Sequence, residues 1–251
     1  MTRPRPATPA SGAQRGEAER SRQRGFFVTG TDTGVGKTVV ACALVRELRR
    51  AGWDVGVMKP AETGVGPAGP LDAKALRDAA GVSDPLDEIC PVQLALPAAP
   101  SVAAAHEGRE LDLARILACF HALAARHACM VVEGAGGLLV PLTERFTMAD
   151  LACELGLDVV LVARAALGTV NHTLLTVEAL AHRGLRCAGV VISHAGGPLS
   201  SADARNLQAL RAALGKRLVG EILPLAEGAA PEDGWLAPAW IARSLGPAVS
   251  A

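Results

Sequence analysis

From residue 25 onward the chain alternates short, continuously apolar runs with longer stretches whose apolar residues recur every three or four positions. The runs FFVT (26–29), DVGVM (54–58), CMVVE (129–133), DVVLVA (158–163), CAGVVIS (187–193) and LVGEI (218–222) read as strands buried on both faces. Helical patterns lie at 37–51, 72–80, 111–127, 147–155, 170–183 and 201–214. In the third, Leu113, Ile116, Leu117, Phe120, Leu123 and Ala124 keep the spacing of one buried helix face. Doubly buried strands alternating with helices predict an α/β fold, a single doubly wound and mainly parallel sheet with helices on both faces. No repeat or linker divides the pattern, so 25–251 is expected to form one domain. Residues 1–24, rich in Arg, Pro, Ser and Ala and lacking apolar periodicity, are expected to be a disordered tail rather than a secretory or transit segment.

Composition narrows the class. The 251 residues carry 25 basic and 25 acidic side chains, which gives no broad electrostatic footprint for nucleic acid. No apolar run approaches the roughly 18 residues of a membrane span, so a soluble, cytoplasmic protein is expected. Six cysteines form no C-x-x-C pair and are expected to be reduced core thiols, those at 119 and 129 lying within apolar patterns. Six histidines show no metal-ligand spacing. Lysine is scarce, at positions 37, 59, 74 and 216 only, and two of the four fall in the motifs below.

The first motif is TGTDTGVGKT, residues 29–38, between a predicted strand and a predicted helix. In the phosphate-loop pattern G-x-x-x-x-G-K-[ST] the first glycine would be residue 31; that residue is Thr31, and Gly30 precedes it. The context still supplies what a triphosphate needs. Gly34 and Gly36 let the backbone approach an anion, and the amides from Val35 to Val39 lead into a helix N-terminus. Lys37 offers charge to the β- and γ-oxygens, and the Thr38 hydroxyl can ligate Mg²⁺.

Three further motifs fall at predicted strand ends. Lys59, in MKPAETG, follows the second run, at the sheet edge where ligands of open α/β folds bind. Thr63 and Gly64 add a hydroxyl and an open backbone. Glu133 closes an apolar strand and is followed by Gly134, Ala135, Gly136 and Gly137. A carboxylate there suits a Mg²⁺ ligand beside phosphates, because a buried glutamate without a partner is costly. Asp72 opens a helix, and spacing alone reads it as an N-cap. Gly168 and Thr169 precede a helix whose first turn holds Asn171, where free amides could receive a carboxylate.

The early glycine is similar to loops of the dimeric, deviant phosphate-loop family. Its switch-like ATPases, of the partition and septum-site type, carry a signature lysine near the loop's start, where this chain has Asp32. Such a switch is the alternative reading. A glutaminase-bearing amidoligase is expected to need a longer chain. Taken in order, TGTDTGVGKT, KPAETG, Asp72, EGAGGLLVPL, FTMADL and LGTVNHTLLT closely resemble the dethiobiotin synthetase family over residues 25–232. The resemblance implies a homodimer that uses ATP, Mg²⁺ and CO₂ to close a ureido ring on 7,8-diaminononanoate. It implies Lys37 and Lys59 against the γ-phosphate and carbamate, and Thr38, Asp72 and Glu133 around Mg²⁺. Thr33 and Thr63 would meet the diamine or carbamate end. Gly168, Thr169 and Asn171, from the partner subunit, would receive the substrate carboxylate. Gly134, Ala135 and Gly136 would line the nucleotide, and Ser193, His194, Pro224, Leu225 and Glu232 would form its base pocket. Two departures touch that pocket: Ser193-His194 stands where many members have Asn-Asp, and in GEILP the proline is displaced by one. Other nucleoside triphosphates are therefore open as co-substrates.

Overall fold

In the computed structural model, which describes residues 23–195, 199–225, 231, 235–236 and 238–248, the six apolar runs form one parallel sheet. The chain runs β1 (Gly25–Gly30), α1 (Lys37–Arg50), β2 (Val55–Met58), β3 (Ala61–Thr63), α2 (Leu71–Ala80) and α3 (Leu86–Ile89). It continues with β4 (Val92–Leu94), α4 (Pro100–His106), α5 (Leu113–Ala124), β5 (Cys129–Gly137), α6 (Met148–Glu154) and β6 (Asp158–Arg164). Then come α7 (Thr169–His182), β7 (Cys187–Ser193), α8 (Ser201–Leu214), a 3₁₀ turn (Gly215–Arg217), β8 (Leu218–Ile222) and α9 (Pro238–Leu245). The strand order is β2-β5-β1-β6-β7-β8. Glu232 and residues 1–22 of the expected tail lie outside the described residues, whereas the Arg24 carbonyl already accepts Met130 N–H at 2.9 Å.

Alternation within the strands shows why both faces are apolar. On β6 and β7, Leu161, Ala163, Val190 and Ile192 pack with Leu207, Leu210 and Leu214 of α8. Their neighbours Val160, Val162 and Val191 turn to the other face, into the core shared with Val40, Leu44 and Leu48 of α1. The sheet is covered on both sides, and a ligand must approach from an edge or from the strand ends.

Short elements escaped the pattern. β3 and β4 pair as a separate two-stranded parallel ribbon, and three residues are too few to show a period. The α5 helix starts at Leu113 because the Asp112 side chain caps it, accepting Arg115 N–H at 2.9 Å. Strand β5 does not stop at Glu133. Val28 pairs with Glu133 and Gly30 with Gly137, so Gly134–Gly136 are absorbed as a bulge inside the strand. The cysteines are less uniformly interior than expected: Cys119 and Cys187 are half-buried and Cys153 is exposed.

Candidate active site

The loop after β1 is anchored by Thr31, whose N–H donates to the Val162 carbonyl on β6 at 2.9 Å. Gly34 and Gly36 both have left-handed backbone, at φ 70° and 89°. Gly36 is the N-cap of α1 and supplies no side-chain cap, so the amides of the first turn remain available to an anion. A Cβ on Gly36 would stand 2.5 Å from Ser193 Oγ, so backbone shape and space both require glycine there. Val35 is buried, whereas Val39 is exposed on α1.

Across the carboxyl ends of β1, β5 and β2 the charged side chains converge. Lys59, just past β2 and only 4% exposed, donates to Glu133 Oε1 at 2.5 Å and to Asp72 Oδ2 at 2.7 Å. The Thr38 hydroxyl donates to the same Glu133 oxygen at 2.9 Å. Lys37, also buried, donates to the Asp32 carbonyl at 3.1 Å. Asp72 is not the N-cap of α2; that position is Pro70, and Asp72 sits in the first turn with its carboxylate on Lys59. The β2–β5 register pairs Met58 with Val132, which puts the next residues of the two strands, Lys59 and Glu133, side by side.

Burial raises the Glu133 carboxyl above its usual range, although Lys59 opposes this. Burial alone would lower the Lys59 ammonium, but Glu133 and Asp72 outweigh it and hold it above the usual lysine range. The Asp72 carboxyl resists its own burial through Lys59 and is held below the usual range. Lys37 is lowered by burial, with Glu133 in opposition. The second oxygen of Glu133, Oε2, is buried and has no hydrogen-bond partner among the described residues. Hydroxyl and carboxylate oxygens from Thr38, Asp72 and Glu133 in one place form an all-oxygen donor set of the kind that Mg²⁺ takes.

Beside the loop, Thr31–Thr33 and Gly137–Pro141 face Leu175, Thr176 and Ala179 of α7 across a cleft of about 430 Å³. Thr33 therefore lines a largely apolar space. Gly136 lies at its margin with φ 64°, where a Cβ would meet Val140 at 2.7 Å. Gly134 packs on Phe27, and Ala135 is buried. Thr63 ends β3 and is half-buried. Gly168 is the left-handed N-cap of α7, at φ 86°, and Thr169 is buried. Asn171 is exposed, one turn before the cleft-lining Leu175.

At the β7–β8 edge the two residues at 193 and 194 part company. Ser193 abuts Gly36 on the α1 face. His194, one residue on, turns to the α8 face, where its Nε2 lies 2.6 Å from Glu221 Oε1. Arg211 of α8 grips the same carboxylate at 2.5 and 3.1 Å. Pro224 and Leu225 are exposed beyond β8.

Two functional-looking carboxylates had no sequence signal. Glu62 on β3 accepts the amides of Asp72 and Ala73, each at 3.0 Å. Glu221 joins strand to helix through Arg211. Both depend on contacts between elements, which local patterning does not encode.

Comparison with known proteins follows the same lines. A family model described as an AAA domain matches residues 24–232. A curated protein of Anaeromyxobacter dehalogenans named ATP-dependent dethiobiotin synthetase BioD is 63% identical over 173 residues, spanning 69% of this chain and 78% of its own. One of the same name from Aromatoleum aromaticum is 45% identical over 212 residues, spanning 83% and 93%. Another, from Methanocaldococcus jannaschii, is 43% identical over 172 residues, spanning 67% and 78%.

Proposed function

The chain belongs to the dethiobiotin synthetase family, and from that premise we propose that it carboxylates 7,8-diaminononanoate and closes the ureido ring of dethiobiotin at the expense of ATP. One substrate amine adds to CO₂ and loses a proton, giving a carbamate. A carbamate oxygen takes the γ-phosphoryl group, ADP leaves, and a carbamic–phosphoric anhydride results. The second amine attacks its carbonyl carbon and loses a proton, the C–O bond to the phosphoryl group breaks, phosphate departs and the ring closes. Each step develops negative charge on oxygen and the substrate supplies every nucleophile, so the protein's task is positioning and charge compensation rather than nucleophilic attack.

The observation that carries this reading is the convergence of Lys59, Asp72, Glu133 and Thr38 within hydrogen-bond distance at the mouth of the phosphate loop. Lys37 and Lys59 would offset charge on the γ-phosphate and the carbamate. Thr38, Asp72 and Glu133 would hold Mg²⁺, and Glu133 Oε2, without a hydrogen-bond partner among the described residues, favours a cation there. When bound, the ion would neutralise phosphate charge and orient the triphosphate. Thr33, at the apolar cleft, and Thr63 would contact the diamine and its chain.

A homodimer is part of the proposal. Leu167, Leu174 and Leu175 are exposed around the start of α7, and a second subunit packed there would cover them. It would also bring Gly168, Thr169 and Asn171 to the substrate carboxylate of its neighbour. Ser193, Pro224, Leu225 and Glu232 are proposed to surround the nucleobase, with His194, also expected in that pocket, instead held on Glu221 at the opposite face of the sheet. Among the described residues no helix is long and apolar enough to cross a membrane.

The deciding assay is bicarbonate-dependent ADP release with and without 7,8-diaminononanoate. Strong stimulation by the diamine is expected. ADP release indifferent to the diamine, but stimulated by DNA or a membrane, would replace the synthetase with the partition-type switch; Asp32, where the switches carry lysine, argues against that outcome.

A further inference from the structure

The geometry points to Glu62 as a positioning residue for Asp72, and through it for the divalent cation; this rests on the synthetase reading above. The α2 helix begins without an ordinary cap. Its N-cap is Pro70, which has no side-chain oxygen to offer. The first amide of the helix to find a backbone acceptor is that of Lys74, which donates to the Pro70 carbonyl at 3.1 Å. The amides just before it need another partner.

Glu62 supplies it from a different element. Its Oε1 accepts the Asp72 N–H and its Oε2 the Ala73 N–H, both at 3.0 Å, and the residue is 7% exposed. A carboxylate at a helix N-terminus is favoured by the helix dipole as well as by the two hydrogen bonds. The position of this carboxylate is itself fixed. Glu62 lies on β3, two residues after Pro60, and pairs in register with Gln93 of β4.

The consequence is a closed circuit. Lys59 reaches Asp72 through its side chain, while Glu62, three residues further along, clasps the backbone of the same Asp72. Asp72 is the most exposed member of the carboxylate pair, at 38% of its side chain against 1% for Glu133. Glu133 is held by a central strand; Asp72 stands on the first turn of a helix, which frays unless capped. Glu62 removes that freedom, so that the aspartate oxygen meets Lys59 and the cation without reorganisation. Glu62 itself touches no reacting atom.

The test uses the full chain with Glu62→Gln and Glu62→Ala, each alone and combined with Asp72→Asn. Glutamine keeps the size but turns one acceptor into a donor facing an amide. Two readouts are measured: the free Mg²⁺ giving half-maximal turnover at saturating ATP, and direct binding of Mn²⁺ with ATP by water-proton relaxation. Both Glu62 variants are expected to weaken both readouts by about tenfold, with turnover largely recovered at high Mg²⁺. In the Asp72→Asn background the same changes should have little further effect, because the coupling runs through Asp72. Unchanged Mn²⁺ binding in folded Glu62→Gln protein would overturn the assignment, as would full additivity with Asp72→Asn. If Glu62→Ala does not fold, Glu62→Gln carries the test alone. Failure of the synthetase reading would look different: the unsubstituted chain would show no diamine-dependent ADP release.

Discussion

Lys59 Nζ lies 2.5 Å from Glu133 Oε1, with only 5% and 1% of the two side chains exposed, where β2 ends alongside the middle of β5. A buried pair of this kind contributes little if both members are exchanged for apolar groups, but removing one strands the other. The arrangement therefore ties the chemistry of the site to the stability of the sheet.

Replacing Lys59 by methionine should lower kcat by about a thousandfold, because charge on the transferred phosphoryl group loses a fixed counterion. The same change should destabilise the protein by about 3–5 kcal/mol near pH 8. The sign with pH follows from Glu133. Burial raises its carboxyl in the folded state, so the folded chain holds the proton more tightly than the unfolded chain. Stability from that proton is present at low pH and lost as pH rises through the folded value. Lys59 opposes that rise, so without it the carboxyl is raised further, and the Tm deficit of Lys59→Met should shrink from pH 8 toward pH 5. Near-normal turnover in a folded variant would return Lys59 to a purely structural role.

The nucleobase should be read weakly. Ser193 is small and wedged against Gly36, and His194 is committed to Glu221 on the opposite face of the sheet. Neither presents an amide that could both donate to and accept from adenine. Values of kcat/KM for ATP, CTP and GTP are expected to fall within about a hundredfold of one another, since large discrimination requires polar groups left unpaired by the wrong ligand. A lead of a thousandfold for ATP would show that other groups read the base.

Glu221 should matter to stability with the opposite pH sign. Burial would raise its carboxyl, but Arg211 and His194 outweigh burial and lower it. The stability it contributes is present above the unfolded value and lost as pH falls through the folded one. Glu221→Gln should cost about 1 kcal/mol at pH 7, a modest figure because the group is partly solvated. Denaturation midpoints of parent and variant should draw together as pH falls below the ordinary glutamate range of about 4.3, and meet below the lowered folded value. A gap that persists there would mean that packing, not charge, holds this edge.

The exposed leucines offer a test of assembly. Replacing Leu167 and Leu174 together by glutamate should halve the mass seen by sedimentation and raise the KM for the diamine, because the carboxylate site is proposed to come from the partner. An unchanged mass would remove α7 from the subunit interface.

The sequence by itself determined the class of the molecule. Six apolar runs became the six strands of the sheet; the inner strands are buried on both faces and so are apolar throughout, whereas the edge strand β8, expected to be equally buried, is only partly covered and carries Glu221. The Gly34–Thr38 turn was equally legible, because its constraints lie within a few residues of one another. Glu133 reads as a Mg²⁺ ligand from its place at the end of an apolar run; the expected role of Asp72 comes from family resemblance, since spacing alone makes it a helix cap. Only the tertiary structure inserted β5 between β1 and β2 and so set Glu133 beside Lys59, 74 residues away in the chain. It alone gave the first turn of α2 a cap borrowed from β3, absorbed Gly134–Gly136 into a bulge and turned His194 toward α8. Strand order and cross-element hydrogen bonds depend on which surfaces can pack together, and such partners leave no period along the chain.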